Sequence, residues 1–211
     1  MNNQVYEDNY TKIVEPKYGL KRNIMQDEML TKDILKSHSY SISKNQRVDM
    51  TKYETYSIDP PGCKDADDAF SIYEENDSLY LAIHIADPTE YIDLHSDLWK
   101  DILMRATTKY PSNRPPIHMM PNKVLELANL QDKQEGEIKN AITVLTEINS
   151  ETFEPMKEIK LLFSNIRVKK KNAFSYKQAS LVSKEMNEFI IGLKISETLK
   201  KKRSFKTKGI K

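Results

Sequence analysis

Asp59-Pro60-Pro61-Gly62-Cys63-Lys64-Asp65-Ala66-Asp67-Asp68 leads straight into Ala69–Tyr73 and, across Asn76-Asp77-Ser78, into Leu79–Ala86. The first ten residues hold four aspartates and one lysine. Four carboxylates this close repel one another unless something cationic sits among them, and Lys64 alone does not neutralise four. Hard divalent cations such as Mg²⁺ take oxygen ligands and work through a few carboxylates plus substrate phosphates. Cleavage of a phosphodiester between two such ions is one chemistry the cluster suits. A solvated acidic turn is the other reading open at this point; the Pro-Pro-Gly turn and the apolar strand behind it favour a built site. A regular strand over 65–68 sends Asp65 and Asp67 to one face and Asp68 to the other, so convergence of all four requires a bent or irregular backbone.

Outward from this stretch the pattern predicts an α+β fold. Leu79, Leu81, Ile83 and Ile85 share a face by period two, and the turn residues before them make a hairpin with Ala69–Tyr73. Ala141–Ile148 and Ile159–Val168 alternate as two further strands. Apolar spacing predicts a helix over Met25–Ser37. Ser96 is placed to cap a second helix from Asp97 to about Thr108, with Leu98, Trp99, Ile102 and Leu103 as its core stripe. The four prolines between Tyr110 and Pro121 predict a fixed extended loop, followed by a short helix over Asn122–Asn129. Ser175 opens a helical stretch that runs to about Arg203 with a break near Ser183. The expected architecture is a mixed, mostly antiparallel sheet with flanking helices.

A chain of 211 residues is long enough for one sizeable core. Its apolar fraction is 38%; with glycine this comes to about 40%, against roughly 45–50% for ordinary globular chains, so part of the chain is expected to be exposed or extended. The net charge of +2 is unevenly placed: residues 194–211 carry eight Lys/Arg and one Glu, a local +7 that leaves −5 for the remainder. An acidic body with a basic end suits a cation-centred site and a polyanion-binding arm; a solvated helix end is the alternative. The single cysteine, Cys63, rules out an internal disulfide, which fits a reducing, intracellular and cytoplasmic setting. It has no partner at zinc-ligand spacing, and its acidic neighbours oppose the thiolate, so it reads as a small loop residue. The polar N-terminus is not read as a signal peptide, and no apolar run is long enough to span a membrane.

Several blocks together resemble a known family. Ser57-Ile58-Asp59-Pro60 with Asp65-Ala66-Asp67-Asp68-Ala69 resembles the signature of the RNB domain, the catalytic domain of ribonuclease II and ribonuclease R. His84-Ile85-Ala86-Asp87, Arg105-Ala106-Thr107-Thr108-Lys109-Tyr110-Pro111 and Ile117-His118-Met119-Met120-Pro121 resemble later blocks in order, as do Arg47-Val48-Asp49 upstream and Phe174-Ser175-Tyr176 downstream. The resemblance implies a hydrolytic 3′→5′ exoribonuclease that acts on single-stranded RNA and releases nucleoside 5′-monophosphates. Asp59, Asp65, Asp67 and Asp68 then become the Mg²⁺-binding and catalytic carboxylates, with Asp67 most directly tied to chemistry, and Tyr110 a stacking aromatic at the RNA 3′ end. His84 and Asp87 are read as structural. The domain reading that goes with it is an N-terminal extension over 1–45, a truncated RNB-like catalytic domain over 46–199 and a basic tail over 200–211, whose Lys200, Lys201, Lys202 and Arg203 contact RNA.

The resemblance covers only about the first half of an RNB domain. A later arginine-containing block, a second clamping aromatic and flanking OB-fold domains have no counterpart. Ala106 and Thr108 stand where Gly and Ser are usual. Three explanations stay open: one half of a split enzyme completed by a second chain, a compact and slower metal nuclease, or a remnant that binds RNA without cutting it. The motifs do not decide between RNA and DNA.

Overall fold

The computed structural model describes Met29 and residues 46–63, 66–110, 112, 116–131 and 136–207. The chain divides into two compact units, one of residues 1–42 and 88–127, the other of residues 43–87 and 128–211. Of the helix expected over Met25–Ser37, only Met29 is among the described residues, where it is helical. The strands are β1 (Val48–Asp49), β2 (Ser57–Asp59), β3 (Asp68–Glu75), β4 (Ser78–Ala86), β5 (Lys139–Ile148), β6 (Pro155–Ile166) and β7 (Ala173–Ser175). The helices are α1 (Asp97–Arg105), α2 (Asn122–Ala128), α3 (Tyr176–Val182) and α4 (Asn187–Thr207).

All the strands among the described residues belong to the larger unit. Five form one sheet in the order β1-β6-β5-β4-β3, and β2 pairs with β7 apart from it. Strands β3 to β6 are antiparallel neighbours, while β1–β6 and β2–β7 are parallel. The expected β3–β4 hairpin is present, with a two-residue turn, since Ser78 already pairs with Glu75. Asn76 and Asp77 have φ of +50° and +61°, the left-handed pair whose twist matches that of the flanking strands.

One face of the sheet packs under α4, where Ile72, Leu79 and Ile148 meet Ile191, Ile195 and Leu199. Gly192 permits the close approach: a Cβ there would lie 3.3 Å from Ile72 Cδ1. The same face continues as two cross-strand rows, Ile83–Val144–Leu161 and Ile85–Ile142–Phe163, in which Ile83, Ile85, Leu161 and Phe163 are exposed. On the opposite face lies a buried cluster of Met50, Ala69, Ala82, Leu130, Ala141, Ile166 and Val168. Ser175 and Gln178 cap α3 reciprocally, and the helix stops at Ser183, as the sequence suggested.

In the smaller unit the Ser96 side chain accepts a hydrogen bond from Trp99 N at 3.1 Å and starts α1. Leu98 and Ile102 are buried with Ile92 and Val124. Leu103, expected in the same stripe, is 59% exposed, because one step along a helix turns a side chain by about 100°. The helix also ends at Arg105 rather than Thr108, since Ala106 has a left-handed φ of +60°. The proline-rich segment does not run on as one extended stretch: Lys109 and Ile117 exchange backbone hydrogen bonds of 3.0 and 2.9 Å, so the chain turns back. Among the described residues no helix is long and apolar enough to cross a membrane.

Candidate active site

The turn after β2 sets the geometry. Cys63 N donates to Pro60 O at 3.1 Å, and Gly62 has φ +78°. Proline then glycine at the two central positions is the arrangement a type II turn requires. The chain folds back so that Tyr56 and Phe70 exchange two backbone hydrogen bonds of 2.8 Å. Two more backbone bonds tether the returning segment, Leu130 N to Ala66 O at 2.9 Å and Ala86 N to Asp67 O at 2.8 Å. Asp67 therefore sits on irregular backbone just before β3, and Asp68 is the first residue of that strand. Asp65 and Lys64 lie outside the described residues.

The electrostatics show Asp59, Asp67 and Asp68 as neighbours. Asp59 is buried, whereas Asp67 and Asp68 are exposed. Although its residue is exposed, the Asp68 carboxyl is pushed above the usual range by partial desolvation and by the charges of Asp67 and Asp59. Among the described residues, no lysine or arginine forms an ion pair with any of the three. Neutral donors hold Asp59: Gln131 Nε2 donates to its Oδ2 at 2.8 Å and to Ser57 Oγ at 3.1 Å, and the Cys63 thiol faces its Oδ1 at 3.7 Å. Gln131 escapes a reading of the sequence, where nothing local links it to a residue 72 positions earlier.

Among the described residues no group of three or more His, Cys, Asp or Glu is arranged to hold a metal ion. Mg²⁺ does not need such a cage, because it keeps several waters and is bound through one or two carboxylates plus substrate phosphates. The all-oxygen donors and surplus negative charge of Asp59, Asp67 and Asp68 fit a hard cation on those terms.

The other expected residues fall on both units. Tyr110 lies in the smaller unit and is 72% exposed. Lys200, Lys201, Lys202 and Arg203 are consecutive on α4, so they point around the helix rather than one way. Lys202 Nζ pairs with Glu154 Oε2 at 2.8 Å. Arg203 and Asp68 line one cavity of about 370 Å³ between α4 and the sheet, whose other walls include Ile58, Phe70, Ile83 and Phe189. His84 is fully buried and hydrogen-bonded on both ring nitrogens, to Ser71 Oγ at 3.0 Å and Thr143 Oγ1 at 2.8 Å. Asp87 is buried against Arg47 at 2.6 Å. A second exposed aromatic, Tyr176, follows Ser175, the residue paired with Asp59 across β2–β7.

Comparison with known proteins places this arrangement. Residues 47–207 match the RNB domain. A probable exosome complex exonuclease RRP44 of Caenorhabditis elegans is 29% identical over 167 residues, which cover 75% of this chain and 16% of that protein. Among solved structures, Mycoplasma genitalium RNase R in complex with double-stranded RNA superimposes with a TM-score of 0.66 at 20% identity, covering 84% of this chain and 32% of that one. The yeast pseudonuclease Ssd1 gives 0.61 at 16% identity, covering 75% and 20%. The chain thus spans about a sixth of that exonuclease and a third of RNase R. A match extending from β1 to the end of α4, on a fold shared with RNase R, makes the chain a member of the RNB-domain family, to which exoribonucleases of the RNase II, RNase R and RRP44 kind belong.

Proposed function

We propose that the chain is a Mg²⁺-dependent ribonuclease that shortens single-stranded RNA from its 3′ end and releases nucleoside 5′-monophosphates. What supports this reading is the mutual electrostatic influence of Asp59, Asp67 and Asp68 beside a tethered turn, with no lysine or arginine paired to them among the described residues, in a member of the RNB-domain family. Asp59, Asp65, Asp67 and Asp68 are the residues that would hold the cation. Bound there, Mg²⁺ supplies Lewis-acid stabilisation of charge on the scissile phosphate. Tyr110 and Tyr176, both exposed, offer faces on which any base can stack, worth about 1–3 kcal/mol per base. Exposed Lys200 and Lys201 on α4 supply sequence-independent attraction for the phosphate backbone.

The test is a 5′-labelled single-stranded RNA incubated with the chain and Mg²⁺, with and without EDTA, beside Asp67→Asn. The expected result is a chelator-sensitive ladder shortening from the 3′ end and absent in the variant. Cleavage retained by Asp67→Asn would refute the assignment. A second reading, RNA binding without cleavage or cleavage only with a second chain, draws on the exposed Ile83, Ile85, Leu161 and Phe163 and on the likeness to a pseudonuclease. Bound but uncut RNA is its signature in the same assay.

A further inference from the structure

Asp59 is set apart from the other two described aspartates by its burial, 7% exposed, and by the side chain that grips it. Gln131 spends both amide hydrogens on β2, one on Asp59 Oδ2 at 2.8 Å and one on Ser57 Oγ at 3.1 Å. The Gln131 backbone is itself fixed from two sides. Its N–H donates to Asn129 Oδ1 at 2.9 Å, and it bridges in parallel to Val168 beyond the end of β6. Between them, fully buried Leu130 holds the acidic turn through Ala66 O at 2.9 Å. Three consecutive residues thus anchor the carboxylate, the turn and themselves.

The chemical identity of the clamp matters as much as its position. A lysine or arginine on Asp59 would orient the carboxylate but neutralise it, and so compete with any incoming cation. A primary amide orients without adding charge, so the negative charge remains available while the rotamer is fixed. We infer that Gln131 is a positioning residue that presents the Asp59 carboxylate to a divalent cation. This role rests on the reading of the aspartates as a cation site. Side chains that orient metal-binding residues in this way typically change metal affinity by about 10–100-fold when replaced.

Mn²⁺ binding to the full chain without RNA, measured by electron paramagnetic resonance of the free ion, tests the role apart from activity. Gln131→Leu is expected to weaken Mn²⁺ binding at least about tenfold, with circular dichroism reporting that the fold is kept. Gln131→Lys, which retains a donor but adds a cation, is expected to weaken it further. In an Asp59→Asn background the Gln131→Leu change should have no additional effect, because its partner's charge is already gone. Unchanged affinity in either single variant, or an equal loss in the Asp59→Asn background, would overturn the role while leaving the cation site standing. Absence of Mn²⁺ binding by the unaltered chain would remove the cation site and the role with it.

Discussion

His84 shows how completely surroundings can fix one side chain. It sits mid-strand between β3 and β5, in a buried run of hydroxyls from Thr55 through Ser71 to Thr143 and Ser164. Burial lowers its pKa to about 4: removal from water disfavours the charged ring, while the hydroxyls satisfy the neutral one. In the unfolded chain its pKa returns to about 6.5. Between those values the unfolded state binds more protons, so acidification from pH 6.5 toward 4 removes stability, on the order of 3 kcal/mol when complete. A proton NMR titration should find the His84 imidazole unprotonated at pH 5.5. Protonation near pH 6.5 would contradict the burial argument. The carboxyl of Asp68 shows the opposite sign of the same effect, raised by partial desolvation and by like charges.

At the level of elements, the end of α1 carries a correctable cost. Ala106 closes the helix in the left-handed region, at φ +60°, with its N–H on Ile102 O at 3.0 Å. Left-handed backbone costs a residue with a Cβ roughly 1–2 kcal/mol, partly offset by the greater freedom glycine has when unfolded. Ala106→Gly is therefore expected to stabilise the protein by about 1 kcal/mol, read as a rise in the urea midpoint at unchanged slope; a fall would mean that the site does not need the left-handed conformation. The elements legible in the sequence are those with a local period or a local cap. Leu79–Ala86 differs by one residue from β4, Ser96 caps the helix it was expected to cap, and Ser175 stands at the start of the helical stretch it was expected to open. The acidic turn is legible because Pro-Pro-Gly and its aspartates are contiguous. The parallel pairings β1–β6 and β2–β7 and the Gln131 clamp are not. Each joins residues 72 to 116 positions apart, and no local pattern encodes such a partner. Leu103 departs from expectation for a different reason: its apolar character says nothing of its angle on the helix.

For the whole molecule, the basic end of α4 divides its charges between structure and solvent. Lys202 is engaged by Glu154 and Arg203 faces the cavity shared with Asp68, which leaves exposed Lys200 and Lys201 as the phosphate-binding groups to test. Replacing both with glutamine is expected to weaken single-stranded RNA binding and to reduce the slope of log affinity against log salt by about 1.4, some 0.7 for each phosphate no longer neutralised. An unchanged slope would show that this end does not touch the backbone. Parallel pairing joins the first two described strands to the last two: Val48 meets Ser164, and Ser57 to Asp59 meet Ala173 to Ser175. This topology imposes a schedule on biosynthesis. Asp59 emerges first, and β7, which pairs beside it, follows 116 residues later, a wait of roughly 6–23 s at the ordinary pace of translation. Throughout that interval the acidic turn lacks first its Gln131 clamp and then its neighbouring strand, so a nascent chain carries the aspartates well before it carries an assembled site.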